Sequence, residues 1–104
     1  MNVSESWAPN QIQQVWEKGN LTPNNDPRVW RKDDCGAWIK RDFYGKKSEF
    51  SWEIDHIKPK SKDGSDEIAN LRPLQSQNNA SRQAGTGDCA VTSNNSHNAR
   101  INSS

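Results

Sequence analysis

The chain has 104 residues, enough for one domain at about 100–200 residues each. Fourteen Lys and Arg stand against thirteen Asp and Glu, a formal net charge of +1, which excludes a strongly basic coat for nucleic acid and an acidic tail protein. Leu, Ile, Val and Phe together number 15, a level at which disorder is the default, yet five Trp, each able to bury about 150–250 Å², point to a small folded core built on aromatics.

No uninterrupted apolar run exceeds three residues, as in Ala37-Trp38-Ile39. A signal peptide needs about 7–15 and a membrane span about 20. The expectation is a soluble cytoplasmic protein with no membrane partner. Cys35 and Cys89 are too few for a disulfide framework or a four-thiolate zinc site. Two free thiols is the expectation, with a single disulfide as the alternative.

Residues 1–8 are polar and read as a flexible N-terminus. From Pro9 the pattern is helical, with Ile12, Val15 and Trp16 at i, i+3, i+4 and Gly19-Asn20 as a stop. Residues 21–27 carry Pro23, Asn24, Asn25, Asp26 and Pro27, the chemistry of a loop. Cys35 to Tyr44 reads as a strand, with Cys35, Ala37, Ile39 and Phe43 on one face and Trp38, Lys40 and Asp42 on the other. Gly45 to Ser48 turns the chain, and Phe50 to Ile57 alternates again. The two runs are expected to pair as a β-hairpin. Pro59 closes the second run, and residues 60–67 form a polar loop carrying Gly64. Asn70 to Leu74 is short and extended, and Gln75 to Arg82 has no breaker and can be helical. From Gln83 the chain is Gly, Ser, Thr, Asn and Ala, with Val91 and Ile101 its only large aliphatics, so residues 83–104 are expected to be a disordered tail. The folded unit is then residues 9–82, of the α+β class.

The chemistry concentrates between Trp52 and Arg82. Asp55 and His56 are neighbours at a strand end, so their side chains diverge and can flank one site from two sides. A carboxylate and an amide oxygen, such as Asp55 and Asn79, are hard ligands suited to Mg²⁺ or Mn²⁺. A neutral His beside such a cation can take a proton from water. Metal, water and base together are what phosphodiester hydrolysis needs. Residues 28–62 hold ten basic against six acidic side chains, so a DNA-facing side is plausible.

Asp55-His56-Ile57, Pro59, Gly64, Asn70-Leu71, Leu74, Asn79 and Arg82, in this order and spacing, resemble the HNH endonucleases. The upstream run Trp30-Arg31-Lys32-Asp33, Cys35-Gly36-Ala37-Trp38-Ile39 and Tyr44-Gly45 is similar to a bacterial subgroup of small, single-domain members. The resemblance implies a ββα-metal motif following an N-terminal helix and a β-hairpin. It implies that His56 is the general base, that Asn70 pins the loop that orients it, and that Asp55 and Asn79 bind Mg²⁺ or Mn²⁺. Arg82 matches a basic position that can contact phosphate, and Arg41 and Lys58 are further candidates for that role. Many members carry Cys pairs around a structural zinc; here Gln75 and Asn78 stand at the second pair, so no structural zinc is expected. The implied activity is metal-dependent cleavage of DNA, most simply double-stranded. The rival is a non-catalytic nucleic-acid-binding or assembly module with a protein partner.

Overall fold

The computed structural model describes residues 6–101. Among the described residues, two short α-helices, three 3₁₀ turns and three two-stranded antiparallel sheets make up an α+β fold. Helix α1 spans Pro9–Trp16. Proline suits its first position because the missing N–H is one that no helix residue could pair. The Gln11 side chain accepts the Ala8 N–H at 2.9 Å, and Trp7 and Ile12 both pack on the core beneath, the arrangement of a hydrophobic staple. Trp7 is therefore held in place, which corrects the expectation of a flexible segment through residue 8. The rest of that segment, residues 1–5, lies outside the described residues.

Strand β1 (Trp30–Lys32) pairs with β2 (Trp38–Lys40), and β3 (Trp52–His56) pairs with β4 (Leu71–Gln75). The expected hairpin between residues 35–44 and 50–57 is thus corrected. Its first strand is cut at both ends. At the start, Asp33 Oδ1 accepts the N–H groups of Cys35 and Ala37 at 2.9 and 2.8 Å, so this backbone closes a turn instead of extending. At the end, residues 41–43 wind into one turn of 3₁₀ helix. β3 takes β4 as its partner instead, in a register that sets Asp55 opposite Arg72 and His56 opposite Leu71.

Helix α2 spans Ser76–Gln83 directly after β4. Gln75 caps it, its Oε1 accepting from the N–H of Gln77 and Asn78. β3, β4 and α2 form the ββα unit. The core beneath is Val15, Trp16, Ile39, Trp52 and Leu71, all fully buried, with Tyr44, Ile54 and Ile68 packed around them. The Lys18 ammonium ties α1 to the same unit through the carbonyls of Ile68 and Leu71.

The described part of the segment after residue 83, through residue 101, is ordered, which corrects the expectation of a disordered tail there; residues 102–104 lie outside the described residues. β5 (Val91–Asn94) and β6 (His97–Arg100) form a hairpin. Polar contacts and one covalent bond hold it, which hydropathy does not register. Cys35 and Cys89 form a disulfide, so the alternative reading of the thiols is the one observed. Val91 is buried, Asn98 brackets Trp38 by accepting its N–H and donating to its carbonyl, and Glu49 accepts the Asn98 N–H at 2.7 Å. The folded unit therefore extends well past residue 82.

Gln75 and Asn78, at the positions of a second Cys pair, are completely buried. Asn78 accepts the N–H groups of Ala90 and Val91 and donates to Asp33 Oδ2 and to the Val91 carbonyl. Asp33 Oδ2 also accepts the Gln75 N–H. Asp33, 1% exposed, thus takes four hydrogen bonds from the β1–β2 turn, β4 and α2. This hydrogen-bonded node joins the three parts of the fold that it touches.

Candidate active site

The ends of β3 and α2 and the loop after β3 surround an open cleft of about 1030 Å³. Asp55, His56 and Asn79 all line it, as does Glu53. Adjacent residues of a strand point to opposite sides, yet Asp55 and His56 both line one cleft, where β3 ends and the chain bends at Ile57 and Lys58.

Asp55 is 2% exposed and sits between two arginines. Arg72 donates Nε to Oδ2 at 2.8 Å, and Arg82 donates Nε to Oδ1 at 3.1 Å. Burial works against the charge on Arg72, but Asp55, with Asp34 behind it, holds its pKa above the usual guanidinium value. Arg82 also donates Nη2 to the carbonyls of His56 and Ile57 and Nη1 to Asp88. Its guanidinium thus stitches α2 to the end of β3 at the rim of the cleft.

His56 Nε2 lies 2.7 Å from Asp66 Oδ1, and the Trp7 ring stands 5.8 Å from the imidazole. Lys60 donates to the other oxygen of Asp66 at 3.2 Å. These two partners, His56 first, hold the Asp66 carboxyl below the usual carboxylate range.

Asp66 is placed by the loop it belongs to. Asn70 accepts the Lys58 N–H at Oδ1 and donates Nδ2 to the carbonyls of Lys58 and Ser65, so one amide bridges both ends of the loop. The loop folds back so closely that a Cβ on Gly64 would lie 1.7 Å from the Lys58 carbonyl oxygen. Only glycine fits there.

Asn79, on α2, is the one residue whose buried side-chain oxygen, Oδ1, has no hydrogen-bond partner among the described residues. An orphaned oxygen is costly unless something takes it up. Asn79 Oδ1 and the Asp55 carboxylate are oxygen donors at one cleft, the chemistry that Mg²⁺ or Mn²⁺ prefers. The residues present fit such an ion.

Of the three phosphate candidates, Arg82 lines the cleft with its donors engaged as above. Arg41 lies elsewhere, donating to Gln13 on α1 at 2.9 Å and lying over the Trp52 ring. Lys58 is exposed beside the loop. Sequence reasoning passed over Trp7, Lys60, Asp66, Arg72 and Asp88. Trp7 had a readable signal, an aromatic two residues before a helix-starting proline. The others are polar residues whose partners lie six to 38 residues away, and no local pattern marks them.

The HNH endonuclease family model matches residues 43–80, from the 3₁₀ turn through β3, β4 and most of α2. That match places this ββα segment in the HNH endonuclease family. No curated protein and no solved structure matches the chain. Among the described residues, no helix is long and apolar enough to cross a membrane.

Proposed function

We propose that this protein is a divalent-cation-dependent endonuclease that hydrolyses phosphodiester bonds of DNA. The observation that carries the reading is the meeting of Asp55, His56 and Asn79 at one cleft, with the Asn79 amide oxygen left without a donor among the described residues. Asp55 and Asn79 would hold Mg²⁺ or Mn²⁺. Such an ion, when bound, stabilises charge on the phosphate and on the leaving oxygen.

His56 takes the proton from the attacking water. Its ring is steadied by Asp66 on one side and by the Trp7 ring on the other. Asn70 and Gly64 keep the Asp66 loop folded against β3. Lys60 at the cleft wall and Lys46 and Lys47 on the nearby surface supply positive charge for a phosphate backbone. Backbone charge contacts position a duplex without reading its sequence, so intrinsic sequence preference is low.

The test is supercoiled plasmid incubated with the purified protein in Mg²⁺, then with EDTA. Nicked or linear DNA that forms in Mg²⁺ and ceases to form in EDTA supports the reading. An intact plasmid in every divalent cation, with the duplex still bound, makes the protein a binding module instead.

A further inference from the structure

The chain contains two Asp-Cys dipeptides, Asp34-Cys35 and Asp88-Cys89, and the disulfide joins them. The two aspartates end a line of alternating charge that passes through Asp55. Arg72, bonded to Asp55 through Nε, reaches Asp34 Oδ2 with Nη1 at 3.2 Å. Arg82, bonded to Asp55 through its own Nε, reaches Asp88 Oδ1 with Nη1 at 3.3 Å. The order is Asp34, Arg72, Asp55, Arg82, Asp88.

The charges decide what this line can do. Asp55 with its two arginines alone would sum to one positive charge, a poor place for a cation. With the outer carboxylates the line sums to one negative charge. Asp34 and Asp88 are more than half exposed, so their ion pairs add little to folding stability. Their effect falls on the field at Asp55.

We propose that Asp34 and Asp88 are positioning residues of the cation site, each drawing one arginine outward from Asp55, and that the Cys35–Cys89 disulfide holds both in place. The proposal rests on the reading of Asp55 and Asn79 as cation donors. Its consequence is that the oxidised chain binds a divalent cation more tightly than the reduced chain.

The experiment is a titration of the full chain with Mn²⁺, with free ion read by electron paramagnetic resonance at low salt, with and without a short duplex. The proteins are wild type, Asp34→Asn, Asp88→Asn, the double variant and Asp55→Asn, each oxidised and after treatment with a phosphine reductant. Circular dichroism checks folding, which the exposed outer positions should leave intact.

Asp34→Asn and Asp88→Asn should each weaken Mn²⁺ binding roughly 3- to 10-fold, and added salt should shrink the difference. Reduction should weaken wild type by a similar factor and leave the double variant unchanged. If both single variants bind like wild type while Asp55→Asn does not, the proposal is overturned and the cation reading stands. If reduction leaves wild type unchanged, the disulfide's part is overturned. If wild type binds no Mn²⁺ even with duplex, the cation reading itself fails.

Discussion

Asp66 stands against His56, Oδ1 to Nε2 at 2.7 Å, ten residues away along the chain. A carboxylate in this place fixes which ring nitrogen carries the proton and which way the ring faces. Asp66→Asn should therefore slow Mg²⁺-dependent cleavage by roughly tenfold, the size of effect seen when a group that orients a catalytic ligand is lost. Asp66 is half exposed, so the melting temperature should hardly move. Cleavage and melting curves on the same sample check both. An unchanged rate would show that the ring is held by other contacts.

The hairpin after residue 90 should matter to stability. Deleting residues 86–104 removes the disulfide and the buried Val91 and exposes Asp33 and Asn78, so the melting temperature should fall by many degrees. Asn78→Ala, a gentler change, strands buried groups on Asp33, Ala90 and Val91. Each buried group left unpaired costs about 1–3 kcal/mol, which denaturant unfolding can measure. A truncated chain that melts like the full one would mean that the hairpin does not support the domain.

Glu49 gives the hairpin a pH dependence. The Asn98 N–H and, behind it, His97 hold its carboxyl below the ordinary value of 4.5. A depressed carboxylate stabilises the fold above its unfolded pKa and loses that contribution as pH falls through the folded one. The docking of β6 should thus be intact at neutral pH and loosen below about pH 4.5. Hydrogen exchange at the Asn98 amide, taken relative to its intrinsic rate at each pH, should accelerate in that window for wild type. In Glu49→Gln it should be faster at neutral pH and change less on acidification.

How much of this was legible in the sequence follows from what each element depends on. α1, β3, β4 and α2 lie where apolar spacing and breakers put them, because Trp16, Trp52 and Leu71 are buried by local amphipathic patterns. The set from Asp55 to Arg82 was readable for the same reason, being compact in sequence. Strand pairing was not readable. It depends on Asp33 capturing two backbone N–H groups, which halts the strand that alternation alone would have continued. The final hairpin was hidden for a different reason. Its anchors are Asn78, Asn98, Glu49 and Cys89, polar or small residues that look like a solvated tail until their distant partners are known.

Asn79 separates stability from function. Its buried oxygen has no donor among the described residues, so Asn79→Ala removes a polar group that costs the fold energy. The variant should melt no lower than wild type and lose most Mg²⁺-dependent cleavage. Asn79→His should regain part of that activity and shift preference toward Ni²⁺, Co²⁺ or Zn²⁺, since nitrogen ligands suit those ions better. Cleavage rates across the metals check this. Wild-type Mg²⁺ activity in Asn79→Ala would remove Asn79 from the site.

The most direct measurement is the single-turnover nicking rate of supercoiled plasmid in Mg²⁺ by His56→Ala beside wild type, with DNA binding and melting followed on both. His56 ends β3 at the cleft and lies outside the buried core cluster, so binding and folding should persist. The rate should fall about 10²–10⁴-fold, the usual loss when a general base is removed. A His56→Ala protein that nicks within a few-fold of wild type would contradict the account, because the water would then be activated by something other than the residue around which this cleft is read.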